Sequence, residues 1–93
     1  MSTSNKGKRM IRFQYHGSER STVYVSGDFN DWDESSHQMK DVTGQGDFER
    51  RVYVTPGKVA YKFIVDGEWT IDPSCKNWEP NEHGTLNNVI SVE

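Results

Sequence analysis

The chain is poor in cysteine, in proline and in long apolar runs: one cysteine, three prolines and 32% hydrophobic residues stand among 93. Cys75 has no second cysteine with which to form an internal disulfide bond, which agrees with a reducing compartment. No apolar run reaches the length that crosses a bilayer, and residues 1–9 lack the apolar segment of a secretory signal. We therefore expect a soluble, cytoplasmic protein without a membrane partner.

An excess of positive charge is also missing, because the formal net charge is −3. Nucleic-acid binding depends on clustered Lys and Arg that displace counterions from phosphates, so a nucleic-acid partner is not expected. A chain of this length builds one modest core, and its 12% of aromatic residues must supply much of the buried area. An enzyme with a deep cleft is therefore disfavoured.

The chain does contain short runs of alternating apolar and polar residues. Residues 1–9 are polar and basic without periodicity and are interpreted as a mobile tail, which leaves residues 10–93 as one domain. Ile11, Phe13 and Tyr15 show the alternation of a strand with one solvated face, and no segment has a sustained helical repeat. Seven or so such runs, separated by Gly, Pro, Asn and Asp, predict an all-β, immunoglobulin-like antiparallel β-sandwich.

A first turn signal is Pro56-Gly57, which combines a fixed φ with a residue that tolerates positive φ. It predicts a hairpin in which residues 58–65 pair with residues 47–55. Arg50 interrupts the apolar side of the earlier strand, so either a bulge re-aims its side chain or that end of the strand is exposed.

A second turn signal, Asp66-Gly67, predicts a two-residue hairpin. The alternation along the preceding strand points Lys62 away from the core, and the hairpin brings Trp69 beside it. Residues 72–86 are predicted to be irregular and to form a rim near this pair before a final strand closes the sheet.

Three separated parts of the sequence resemble carbohydrate-binding module family 48. This family includes the glycogen-binding domain of the β subunit of AMP-activated protein kinase and the N-terminal domains of isoamylases and glycogen branching enzymes. The parts that carry the resemblance are VYVSGDFNDW at 23–32, YKFIVDGEW at 61–69, and DP at 72–73 followed by GTLNNVI at 84–90. They occur in order across nearly the whole predicted domain, which makes the match specific.

The resemblance implies an early-set, immunoglobulin-like sandwich that binds α-1,4-linked glucan, and we expect the domain to act without catalysis and without a cofactor. It implies sugar contacts from Trp32, Lys62, Trp69, Thr85 and Asn87. Where the kinase-type members have a leucine before Gly-Thr, this chain has His83, whose ring can pack on a sugar or donate a hydrogen bond. That difference bears on affinity and on the preference for long or cyclic chains.

The chemistry of these side chains supports the same interpretation. A glucan presents an apolar face of C–H groups and a rim of hydroxyls, so indole rings suit the face, while Lys62, Thr85 and Asn87 suit the rim. As an alternative, Trp32 and Trp69 are core residues, as tryptophans in small domains often are. Trp78 lies outside the matched segments and is either a cap over the core or a further sugar platform.

Other sites are not supported. The acidic run at residues 28–34 has Trp32 where a calcium loop needs an oxygen ligand, and it lacks the required glycine. His16, His37 and His83 have no metal-ligand spacing, so no metal is assigned. Glycoside hydrolysis needs two carboxylates that face each other across a cleft, and no catalytic residue is assigned.

Two other functions remain open on the sequence. The chain can be a protein-interaction domain that binds a kinase or an enzyme through a sandwich that has kept its sugar motifs. It can also be an accessory domain of a glucan-processing enzyme. Retention by glycogen or amylopectin distinguishes glucan binding from pure protein interaction.

Overall fold

The computed structural model describes residues 7–93, so the first six residues of the predicted tail lie outside the described residues. Residues 7–93 form eight strands in two antiparallel sheets, which confirms the all-β sandwich. The strands are β1 (Arg9–His16), β2 (Val23–Gly27), β3 (Lys40–Asp41), β4 (Asp47–Val54), β5 (Gly57–Val65), β6 (Glu68–Thr70), β7 (Trp78–Pro80) and β8 (Leu86–Val92). A 3₁₀ turn, Asp28–Asn30, follows β2. No helix in this part of the chain is long and apolar enough to cross a bilayer.

The smaller sheet has the strand order β1-β4-β3, and the larger has the order β2-β5-β8-β7, with β6 also paired to β5. One edge of β5 pairs with β2. The other edge is shared, because β8 pairs with residues 57–61 and β6 pairs with residues 63–65. The strand that carries Lys62 therefore lies at the centre of the larger sheet.

The core lies between the two sheets and is rich in aromatic rings. The ring of Phe13 on β1 lies 4.7 Å from that of Tyr61 on β5, and Tyr15 meets Phe63 edge-on at 5.2 Å. Such pairs add directional contacts to the burial of apolar area. The buried cluster comprises Phe13, Val23, Val25, Met39, Phe48, Val52, Val54, Val59, Tyr61, Phe63 and Val92.

The predicted hairpin at Pro56-Gly57 is wrong. β4 pairs with β1 and β3, whereas β5 pairs with β2, β6 and β8, so this turn crosses from one sheet to the other. Val54 and Val59 are both buried in the core cluster and face it from opposite sheets. Gly57 has a φ of 126°, a conformation that favours glycine, at the point of crossing. The local turn chemistry is present, but the burial of both strands decides the pairing.

Two smaller features also differ from expectation. The β1–β4 register is continuous, so no bulge re-aims Arg50. Its side chain is instead partly buried and donates a hydrogen bond to the Gln38 carbonyl at 3.2 Å. Residues 72–86, predicted to be irregular, contain the short strand β7, which pairs with β8 and extends the larger sheet.

Candidate functional site

An open depression of about 750 Å³ lies on the face of the larger sheet that points away from the core. We call it the Trp32–Trp69 depression. All six residues predicted to contact sugar line it, together with four others. The lining residues are Asp28, Trp32, Ala60, Lys62, Trp69, Asn81, Glu82, His83, Thr85 and Asn87. Residues from four separate parts of the chain thus meet at one surface.

A tight loop after β2 positions Trp32. A side chain at Gly27 would place its Cβ 2.3 Å from the Ala60 carbonyl oxygen, so only glycine fits where β2 passes β5. Asp31 and Trp32 both have left-handed backbone conformations, with φ of 56° and 59°. The Trp32 N–H donates to the Gly27 carbonyl at 3.0 Å, and the Asn30 side-chain oxygen accepts from the Gly27 N–H at 3.0 Å. These bonds hold a backbone that is strained for non-glycine residues next to the depression.

The predicted hairpin at Asp66-Gly67 is confirmed, and it positions Trp69. Both turn residues have positive φ, 50° and 85°, as a type I′ turn requires. The Asp66 carboxylate also accepts hydrogen bonds from the Thr22 N–H and the Ser21 hydroxyl, both at 2.9 Å. These bonds, the Thr22 N–H first, lower the pKa of Asp66. The turn is therefore tied to the start of β2 as well as closed on itself.

The two indoles form a tilted pair. Their ring centroids lie 6.4 Å apart with an interplanar angle of 48°. Trp69 is 41% exposed, and Trp32 is partly buried. Trp69 lies opposite Ile64, which is itself buried outside the core cluster. Neither tryptophan belongs to the core, so the core interpretation of this pair is wrong.

Lys62 faces away from the core as predicted, yet only 7% of it is exposed. Burial lowers the pKa of its ammonium group. The Lys62 Nζ donates to the Thr85 hydroxyl oxygen at 3.2 Å, and none of the ion pairs found in residues 7–93 includes it. Ser26, directly opposite on β2, has a buried hydroxyl oxygen without a hydrogen-bond partner in this part of the chain. The floor of the depression thus holds a nearly buried cation with unused donor capacity.

Asn81 organises the loop that leads into β8, and the sequence interpretation missed it. Its side-chain oxygen accepts from the backbone N–H groups of His83 (2.9 Å) and Thr85 (3.1 Å). Its side-chain nitrogen donates to Thr85 Oγ1 at 2.7 Å and to Asn87 Oδ1 at 2.9 Å. An Asn three residues before Gly84 is a turn signal, which pointed to its backbone role but not to its contacts with the site.

Two carboxylates line the depression. The Asp28 carboxylate accepts a hydrogen bond from the Ala60 N–H at 2.9 Å. This contact links the residue after β2 to β5, just beyond the last backbone pair of the two strands. Glu82 is exposed on the loop between β7 and β8. Within residues 7–93, no group of three or more His, Cys, Asp or Glu side chains is arranged to hold a metal ion.

Trp78 does not line the Trp32–Trp69 depression, although 51% of it is exposed. It lies opposite Asn88 across β7 and β8, and residues directly opposite in an antiparallel pair share a face. Asn88 is buried and pairs with the backbone of buried Asp72, whereas Asn87, the next residue on β8, lines the depression. Trp78 therefore lies on the opposite face from the two indoles.

Comparison with known proteins gives a consistent result. Residues 9–93 match the family described as "Glycogen recognition site of AMP-activated protein kinase". The β-2 subunit of 5'-AMP-activated protein kinase from Homo sapiens is 37% identical over 87 residues, which cover 90% of this chain and 28% of the relative. The β-1 subunit from Rattus norvegicus is 39% identical over 74 residues, 76% of this chain and 24% of the relative. The chain thus spans about a quarter of the length of these curated relatives, and it belongs to the family of glycogen-recognition domains of AMP-activated protein kinase.

Proposed function

We propose that the Trp32–Trp69 depression is the glycogen-binding site of this domain, and that it binds α-1,4-linked glucan. The tilted indole pair next to the buried Lys62 ammonium is the observation that carries this proposal. The indoles offer apolar surface to the C–H faces of glucose rings, and Lys62, Thr85 and Asn87 offer hydrogen bonds to the sugar oxygens. His83 lines the same depression and contributes its exposed ring to the rim.

The tilt between the rings fits a curved chain better than a flat one. Two planes at 48° cannot both stack on coplanar sugars, whereas consecutive glucose units of a coiled α-glucan change direction. Each ring that stacks buries about 100 Å² of apolar surface, which contributes about 2.5 kcal/mol before ordering costs. Two such stacks with a few hydrogen bonds give a dissociation constant on the order of micromolar to millimolar. Binding to a branched polymer then depends on many weak contacts.

The domain acts in this proposal by binding alone. Of the two carboxylates that line the depression, Asp28 is engaged with the backbone of β5, and Glu82 lies on an exposed loop. Hydrolysis needs one carboxyl group with a raised pKa to act as an acid and a second to act as a base or nucleophile. A surface that stacks sugars and offers hydrogen-bond donors to their oxygens suits recognition rather than bond cleavage.

The partner of the domain is also part of the proposal. Its relatives are named as β subunits of 5'-AMP-activated protein kinase. We infer that the chain places a kinase complex on glucan, in the cytoplasm where its unpaired Cys75 stays reduced. Docking to a glucan-processing enzyme is the alternative partner, and glucan binding is common to both.

Affinity electrophoresis in gels that contain glycogen tests the site. We expect retardation of the wild-type domain and loss of most of it in Trp32→Ala and Trp69→Ala. Trp78→Ala is the matched control, because it removes an exposed indole from the opposite face. Equal migration of the wild type with and without glycogen would refute glucan binding. Equal retardation of the wild type and both site variants would place the site elsewhere.

A further inference from the structure

The hydrogen bonds around Asn81 have a fixed direction. Backbone N–H groups only donate, so the atom of Asn81 that meets the N–H groups of His83 and Thr85 must be its oxygen. The amide nitrogen must then be the atom that meets Thr85 Oγ1 and Asn87 Oδ1, where it donates both of its protons. The orientation of this side chain follows from the backbone alone.

This orientation sets the role of the Thr85 hydroxyl. A hydroxyl oxygen has two lone pairs, and those of Thr85 accept from Asn81 Nδ2 at 2.7 Å and from Lys62 Nζ at 3.2 Å. With both lone pairs engaged, the hydroxyl proton is the only hydrogen-bonding capacity that Thr85 has left. Thr85 is exposed at the rim, so this proton is available to a ligand.

Asn87 and Lys62, like Thr85, keep hydrogen-bond donors that residues 7–93 themselves do not use. The Asn87 Oδ1 accepts from Asn81, which turns its amide nitrogen away from the loop, and no residue of the described chain accepts from that nitrogen. The Lys62 ammonium has three protons and donates one to Thr85. The hydrogen-bonding capacity left over at Lys62, Thr85 and Asn87 is therefore mainly that of donors.

We propose that Asn81 sets the polarity of the Trp32–Trp69 depression, so that the sugar oxygens are recognised as hydrogen-bond acceptors by a row of protein donors. This inference rests on the proposed function and adds the direction of each bond to it. Asn81 is a positioning residue in this scheme, because it acts through Thr85 and Asn87. The carboxylates of Asp28 and Glu82 lie at the same depression and remain able to accept from other sugar hydroxyls.

Asn81→Asp is the variant that reverses the polarity with little change in shape. One carboxylate oxygen can still accept from the N–H groups of His83 and Thr85, so the loop turn is kept. The second oxygen accepts a hydrogen bond from the Thr85 hydroxyl, whose proton is then no longer available to a ligand. It also favours a flipped Asn87 side chain, in which the amide nitrogen donates to the new carboxylate and the amide oxygen faces the ligand. Asn87→Asp reverses the polarity at the next position, because it replaces the outward donor by an acceptor. Asn77→Asp makes the same chemical change at an exposed position outside the depression and is the matched control.

Calorimetric titration of each folded variant with maltoheptaose measures the effect. We expect Asn81→Asp and Asn87→Asp to bind at least about tenfold more weakly than the wild type, since each loses a donor and gains an opposed acceptor, and Asn77→Asp to match the wild type. If Asn87→Asp binds as tightly as the wild type, the sugar donates at this position and the inference is wrong. Unchanged affinity in Asn81→Asp contradicts it equally.

A second measurement does not depend on variants. In the wild type, nuclear magnetic resonance follows the side-chain amide protons of Asn81 and Asn87 during addition of maltoheptaose. We expect the Asn87 amide protons to shift and the Asn81 amide protons to stay protected from exchange throughout. Binding with no shift at Asn87 overturns the donor row but leaves glucan binding intact. No binding of maltoheptaose by the wild type overturns the proposed function and the inference together.

Discussion

Tyr61 and Lys62 are consecutive residues of β5, and their side chains leave the strand on opposite faces, both nearly buried at 3% and 7% exposure. Tyr61 points into the core, where its hydroxyl donates to the Asp72 carboxylate at 2.7 Å. Lys62 points to the Trp32–Trp69 depression and donates to Thr85. One strand therefore carries a polar contact within the core on one face and a polar contact at the proposed glucan site on the other.

Lys62→Met separates these two roles. The variant keeps an unbranched apolar side chain of similar length but removes a charge whose burial is costly and which has no ion-pair partner in residues 7–93. We expect unfolding free energy to stay equal or to rise by up to about 1 kcal/mol, while affinity for maltoheptaose falls by about tenfold. Urea denaturation and calorimetry measure the two quantities. A loss of unfolding free energy that matches the loss of affinity would show that Lys62 is mainly structural.

Tyr61→Phe is the complementary change. It removes the hydroxyl that donates to Asp72, and burial together with that carboxylate raises the pKa of Tyr61, so the phenol stays protonated. The variant leaves the buried Asp72 carboxylate with one partner fewer, at a cost of about 1–3 kcal/mol in unfolding free energy. We expect glycogen affinity of the folded fraction to be unchanged. Urea denaturation and affinity electrophoresis check the two expectations, and a loss of affinity in the folded variant would contradict the separation of faces.

His37 makes stability depend on pH. Asn30 Nδ2 donates to His37 Nδ1 at 3.0 Å, which requires a neutral ring. Burial, and then the charge of Arg50, lower the pKa of His37 from 6.5, while Asp33 opposes the shift. The unfolded chain therefore binds the proton more readily, so we expect the contribution of His37 to stability to be fully present above pH 6.5 and to fall as the pH drops below it.

Thermal unfolding at pH 7.5 and pH 5.5 measures this effect. We expect the wild type to lose about 1 kcal/mol, the contribution of one hydrogen bond, or about 4–8 °C in melting temperature. His37→Gln, which does not titrate, is expected to lose less across this range. Asp41 and Asp66 also have lowered pKa values, but their contributions are lost near and below pH 3.8, outside the interval tested. Equal losses in the wild type and the variant would exclude His37 as the origin.

Gly46 and Gly44 form a matched pair of glycines in the β3–β4 turn. Both have positive φ, 93° and 78°, so an alanine is strained at either position. A Cβ at Gly46 would lie 1.9 Å from the Gly17 carbonyl oxygen, whereas a Cβ at Gly44 meets nothing within 4 Å. We expect Gly46→Ala to lower unfolding free energy by at least about 2 kcal/mol more than Gly44→Ala does. Chemical denaturation of both variants checks the difference, and equal costs would mean that the backbone relieves the clash.

The sequence predicted features that depend on neighbouring residues better than features that depend on distant ones. The Asp66-Gly67 hairpin was predictable because both positive φ values are encoded within the turn itself. Pro56-Gly57 carries equally clear turn chemistry, but whether the next strand pairs or crosses is decided by which sheet buries it. The direction of Lys62 followed from alternation, whereas its burial depends on side chains from other strands and loops. The role of Asn81 exists only once its loop has closed against β8.

The crossing between β4 and β5 has a consequence for how the chain reaches its native state. β1 must find β4 and β2 must find β5, each across a long stretch of intervening chain, before either sheet is complete. Loop closure of this kind costs entropy before contacts offset it, so the rate-limiting barrier is expected to involve both layers at once, with refolding in milliseconds to seconds. The arrangement that displays the indoles on one side is therefore also expected to make assembly of the two layers a single cooperative event.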